Sequence, residues 1–248
     1  MESSLPDRRR IGSLIALAAF ALAVSACSDR HSPIARAATA SGSPVQLAVL
    51  GDSLAFGTGA GDTAGGFAFR IYRAIDAARP GSEITNVAIG GSTVTDVRRL
   101  QVSRLRDRRF DIVIVCVGGN DVVRGIPSAR FARDYRDLVL AIRAAAPRAA
   151  LVAIGVPDVS VSPLFADHAA SVHQLASADD RAARDAVIRS GGRYVDLFAL
   201  THQARNSADF LSPDRFHPSD IGHERIAAQA LPIVEAALRA TRHAHRTT

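Results

Sequence analysis

The chain has 248 residues, 48% hydrophobic and 22% charged, an ordinary globular composition that suits one large domain or two small ones. It carries a net charge of +6, and every basic residue is an arginine. Basicity alone would fit nucleic acid, but aromatics are only 5%, Trp is absent and the arginines are dispersed, so no nucleic-acid partner is expected.

Arg8-Arg9-Arg10 followed by the uncharged apolar run Ile11 to Ala26 has the form of a signal peptide over residues 1–26. The run is short for a bilayer span, which needs ~20 residues. Val24-Ser25-Ala26-Cys27 resembles a bacterial lipobox, which would make Cys27 the lipid-bearing first residue of an exported lipoprotein held at a membrane surface. Ala35-Arg36-Ala37 is the competing cleavage site and would release a freely secreted protein. The anchored form is favoured because Cys27 closes the apolar run. Residues 27–44, rich in Ser, Ala and Pro, read as a flexible tether. Cys116, the only other cysteine, lies in an apolar strand, so no intrachain disulfide is expected.

From Val45 strand-like and helix-like runs alternate. Val45 to Leu50 reads as a buried strand ending at Gly51-Asp52-Ser53-Leu54. Phe67 to Ile75 has helical spacing and stops at Arg79-Pro80-Gly81. Ser82 to Ile89 reads as a strand, and Val94 to Arg108 as an arginine-rich helix with a solvated face. Attraction of that face to an anionic envelope is the sharper alternative. Phe110 to Val117, rich in β-branched residues, predicts a central parallel strand. A helix capped by Ser128 follows, then a strand over Ala150 to Val156. An amphipathic helix runs to about Ser190, and a strand covers Arg193 to Phe198. A Pro- and Asp-rich loop over Asp209 to Pro218 precedes a last helix over Ser219 to Arg239. The alternation predicts one α/β domain over 45–240, a three-layer sandwich around a parallel sheet of about five strands, with a disordered tail at 241–248.

In such sheets functional groups gather beyond the carboxyl ends of the strands. Those ends supply Ser53, Gly90, Gly91 and Asn120, and the loop before the last helix adds Asp214 and His217. Together these are a nucleophile, oxyanion donors, an orienting acid and a base, the parts of acyl transfer. A serine hydroxyl needs a neutral imidazole to take its proton, and a carboxylate to hold that imidazole in one tautomer. Spacing of three residues across a turn puts Asp214 beside His217.

These blocks resemble the SGNH hydrolases, or GDSL-type esterases and lipases. Gly51-Asp52-Ser53-Leu54, Asn86-Val87-Ala88-Ile89-Gly90-Gly91, Gly118-Gly119-Asn120-Asp121 and Asp214-Arg215-Phe216-His217 are similar to that family's four motifs, in order. The resemblance implies a flavodoxin-like fold, Ser53, Asp214 and His217 as the triad, and an oxyanion hole from the N–H of Ser53, Gly91 and Asn120. Gly91 is preferred to Gly90 because it lies five residues after the asparagine. Ser219 stands where the family often has Asn. Residues 157–210 match no particular subfamily and leave the acyl preference open.

Other features read more plainly. Asp52 is a turn or cap residue. Gly57-Thr58-Gly59-Ala60-Gly61 has Asp62 where a dinucleotide motif needs glycine. His168, His173, His202 and His223 read as surface or helix histidines, and Asp158 and Asp196 as local caps. His243 and His245 have no carboxylate or cysteine cluster beside them, so neither metal nor organic cofactor is expected. The leading expectation is a serine hydrolase of lipid or cell-envelope esters acting through an acyl-enzyme. Glycan deacetylation, thioester cleavage and lysophospholipid hydrolysis use the same triad. A non-catalytic envelope-binding lipoprotein is the alternative from another class. Oligomeric state has no signature in the sequence.

Overall fold

A computed structural model describes residues 42–246, with side chains to residue 241. The signal segment, Cys27 and most of the tether lie outside the described residues, as do residues 247 and 248. Five parallel strands form one sheet: β1 (Gln46–Gly51), β2 (Glu83–Asn86), β3 (Ile112–Cys116), β4 (Ala150–Ile154) and β5 (Arg193–Val195). Their order is β2-β1-β3-β4-β5. The chain leaves β1 towards one edge and returns to lay β3 on its other side. The crevice at the carboxyl ends of β1 and β3 is therefore the topological switch point.

Strand side chains alternate between two cores. Ala48, Leu50, Val113, Val115 and Leu151 face a layer containing α5 (Ser128–Ala145) and α6 (Ala169–Arg189). Leu47, Val49, Ile112, Ile114 and Val152 face α2 (Phe67–Ala78) and α8 (Asp220–Arg246). Each fully buried aliphatic side chain contributes about 1.5–3 kcal/mol before entropy is charged against it. The three-layer α/β sandwich expected from the alternation is present.

Several local expectations change. The stretch 94–108 is not one regular helix: a short α3 (Val94–Asp96) runs into a π-helical turn (Val97–Gln101) and then a 3-10 turn (Val102–Arg106). Buried Gln101 is the physical reason, because its amide is held by the backbone of Gly51 at the end of β1. The arginines of this stretch remain exposed. β5 stops at Val195 because the Asp196 carboxylate accepts the Ala199 N–H and starts α7 (Leu197–Gln203). Ser128 is the first residue of α5 rather than its cap, with Pro127 in the cap position. The last helix continues past Pro232 to Arg246, so the backbone of 241–246 is helical instead of beginning a tail.

Candidate active site

Gly51 ends β1 at φ +148°, and a Cβ there would lie 2.0 Å from the Cys116 carbonyl oxygen, so the strand can turn away only without a side chain. The Asp52 N–H donates to that same carbonyl, joining the ends of β1 and β3. The Asp52 carboxylate accepts the Leu54 N–H and caps α1 (Ser53–Phe56). As the first residue of a helix, Ser53 has a backbone N–H with no intrahelical partner. Burial raises the Asp52 carboxyl from 3.8 to about 7, even though the Leu54 N–H donates to it, and nearby Asp121 adds to the rise.

His217 arrives on the loop between α7 and α8. Leu211 and Pro218 form an antiparallel bridge, and the Ser212 N–H donates to the His217 carbonyl, closing the loop into a tight bracket. Arg215 within it has φ +64°, an unusual conformation for a residue with a side chain, and its carbonyl is held by the Ser162 hydroxyl. Gly59 (φ +95°) packs beneath, where a Cβ would come within 2.3 Å of the Pro218 oxygen and 2.8 Å of the His217 Cβ. The bracket presents His217 Nε2 2.8 Å from Ser53 Oγ and His217 Nδ1 2.7 Å from Asp214 Oδ2. Asp214 Oδ1 accepts from the backbone N–H of Phe216 and His217 and from the Ser212 hydroxyl. Partial burial pushes the Asp214 carboxyl up. Hydrogen bonds from the His217 ring, the Phe216 and His217 amides and the Ser212 hydroxyl outweigh that and hold it well below the ordinary carboxylate range.

Asn120 lies near the start of α4 (Gly119–Val123) after β3 and lines the same cleft as Ser53 and His217. Its Nδ2 donates one hydrogen to the Ser92 carbonyl at 3.0 Å, which orients the amide and leaves the second hydrogen for another acceptor. Of the two glycines after β2, a Cβ on Gly90 would be 3.9 Å from the Ser53 Cβ, while the Gly91 carbonyl accepts from Arg124. Gln101, passed over in the sequence, ties these parts together. Its Oε1 accepts the Gly51 N–H and its Nε2 donates to the Gly51 carbonyl, both at 2.8 Å, with Ser92 Oγ 3.3 Å away.

A narrow cavity of about 50 Å³ opens beside Ser53, walled by Val159, Val161, Phe210, Phe216 and Ile226, with buried Asp158 and Thr201 further along. Cys116 forms part of this wall. It is a buried free thiol, and burial lifts its pKa well above the ordinary value, consistent with packing rather than chemistry. Asp158 does cap locally, since Ser160 donates to it. It also gathers His173 and His202, whose Nδ1 atoms each lie 2.8 Å from Asp158 Oδ2. Those histidines lie on different helices and share no local spacing with Asp158, so the sequence offers no pattern that joins them. Of the histidines read as surface or helix residues, His223 is a helix residue of α8 and fully buried, with Nδ1 accepting the Phe67 N–H and Nε2 donating to the Thr58 carbonyl.

The hydrogen bonds from Ser53 through His217 to Asp214 thus lie at the switch point of a parallel α/β sheet. The model of the GDSL-like Lipase/Acylhydrolase family matches residues 49–225, and the chain belongs to that family of ester-hydrolysing enzymes. Among solved structures, TesA is similar at 19% identity and TM-score 0.64, the match covering 77% of this chain and 99% of that one. The psychrotrophic esterase EstA from Pseudoalteromonas sp., inhibited by monoethylphosphonate, matches at 17% identity and TM-score 0.63, over 79% and 99%. A variant of Axe2, an acetyl xylan esterase from Geobacillus stearothermophilus, matches at 21% identity and TM-score 0.60, over 79% and 96%. At these identities the likeness concerns the fold. No curated protein matches the chain in sequence.

Proposed function

We propose that the protein is a serine carboxylester hydrolase in which Ser53 is the nucleophile, His217 the general base and acid, and Asp214 the group that orients the imidazole. The observation that carries this reading is the relay from Ser53 Oγ to His217 Nε2 at 2.8 Å and from His217 Nδ1 to Asp214 Oδ2 at 2.7 Å. His217 Nε2 takes the hydroxyl proton as Oγ attacks the ester carbonyl carbon. The resulting oxyanion accepts from the backbone N–H of Ser53 and Gly91 and the free amide hydrogen of Asn120, each such donor contributing on the order of 3 kcal/mol. His217 then gives its proton to the departing alcohol and leaves an acyl-Ser53. Water, deprotonated by the same imidazole, releases the acid and restores Ser53.

The narrow apolar cavity favours a short acyl group over a long lipid chain. An N-terminal run that resembles an export signal and ends in the lipobox-like Val24-Ser25-Ala26-Cys27 supports envelope-associated short-chain esters as the substrate class, and deacetylation of glycans falls within it. The test is a p-nitrophenyl ester series from acetate to palmitate. Turnover should peak at acetate to butyrate, and Ser53→Ala should lower it on the order of 10⁴-fold while the protein stays folded. Preference for palmitate would reject the short-acyl assignment, and retained turnover in Ser53→Ala would reject the nucleophile.

A further inference from the structure

Behind the cleft wall, three potential ligands converge from three separate elements. Asp158 follows β4, His173 lies on α6 and His202 on α7. The three ligand atoms all lie within 4.8 Å of one another. The Asp158 side chain is fully buried, whereas the two imidazoles are 39% and 44% exposed, which leaves an approach from solvent. We propose that Asp158, His173 and His202 form a binding site for one divalent transition-metal ion that pins α6 and α7 to the end of β4.

Two imidazoles and one carboxylate, with positions left for water, are a ligand set that takes Zn²⁺ and its neighbours in the first transition row. Metal–ligand bonds of about 2.1 Å place neighbouring donor atoms roughly 3 to 3.5 Å apart. Each Nδ1 is already 2.8 Å from Asp158 Oδ2, so small ring rotations make room for an ion. The surrounding groups hold the ligands in place. Asp158 Oδ1 accepts the Ser160 N–H at 3.2 Å and hydroxyl at 2.5 Å, which leaves Oδ2 to face the imidazoles. The Asp158 N–H donates to Thr201 Oγ1, next in sequence to His202. Phe198 lies parallel to His202, with ring centroids 6.4 Å apart, and packs 5.3 Å from His173, which limits both rings to small rotations. Among the described residues no arginine pairs with Asp158, whose carboxylate is met by Ser160 and the two imidazoles.

The site's place in the fold sets its role. Asp158 and Thr201 line the cleft, but neither histidine does, so the ion braces the wall from behind and touches no reacting atom. This inference does not rest on the assignment of Ser53.

The test is equilibrium dialysis of chelator-stripped protein against Zn²⁺, read by metal analysis and by Tm. One equivalent should bind, and Zn²⁺ at about 100 times its Kd should raise Tm by roughly 5–10 °C. The H243A/H245A variant, lacking the two tail histidines, should keep that equivalent. His173→Ala and His202→Ala, at half-exposed positions that should fold, should each weaken binding by at least tenfold, and the double variant should lose it. Fluorophosphonate labelling of Ser53 should be unchanged in all of them. No saturable binding, or binding lost with the tail histidines and kept in H173A/H202A, would overturn the proposal and leave a metal-free hydrogen-bonded cluster.

Discussion

Asp121 and Asp52 are buried carboxyls near the crevice, and burial raises each from 3.8 to about 7. The charge of Asp121 adds to the rise at Asp52, and that of Asp179 to the rise at Asp121. A carboxyl whose folded pKa lies above its unfolded value binds protons more tightly in the folded state. Its stabilising contribution is therefore complete below about pH 4 and is lost as pH rises through about 7. Tm measured between pH 5 and 8 should fall with rising pH, and Asp121→Asn should flatten that fall while keeping an acceptor for the Val94 N–H. An unchanged slope in the variant would contradict the assignment. Asp214 has the opposite sign: its lowered pKa keeps it ionised and able to orient His217 until strongly acid pH, where its contribution is lost. At this scale the catalytic candidates were legible because each sits at a strand end or within three residues of its partner. The Asp158 cluster was not, because three distant segments must fold before its members share a neighbourhood.

Among the elements, the π-helical turn at Val97–Gln101 has the most direct consequence for the site. Gln101→Leu removes the acceptor of the Gly51 N–H and leaves the Gly51 carbonyl with the Ile89 N–H alone, and a buried polar group left unsatisfied costs about 1–3 kcal/mol. Thermal unfolding should show that loss. The kcat should fall more than KM rises, because Ser53 is displaced while the acyl cavity remains. Equal kcat in a folded variant would show that the contact does not hold the serine. The apolar positions Val94, Val97, Val102 and Leu105 are compatible with one regular helix, and nothing local in the sequence shows that Gln101 turns inward to a strand end. The central strands, by contrast, are apolar runs buried on both faces and were readable to within two residues at each end. β5 was read too long because Leu197 and Phe198 extend its apolar run, while the Asp196 cap that ends it is a short-range hydrogen bond.

At the scale of the molecule, alternation of strand and helix leads to a doubly wound sheet, and the order β2-β1-β3-β4-β5 places its switch point where Ser53, Asn120 and His217 meet. Among the described residues no helix is long and apolar enough to cross a membrane; the membrane association proposed for the chain is assigned to Cys27. Expressed with its native N-terminus, the protein should partition into detergent, and Cys27→Ser should move it to the aqueous phase. Aqueous partitioning of both forms would instead support cleavage near Ala37. The central claim is that Ser53 is an activated nucleophile, and a fluorophosphonate probe tests it most directly. One equivalent of probe should attach, peptide mass mapping should place it on Ser53, and Ser53→Ala and His217→Ala should abolish labelling. Absence of labelling in the folded native protein, or labelling at another residue, would contradict it.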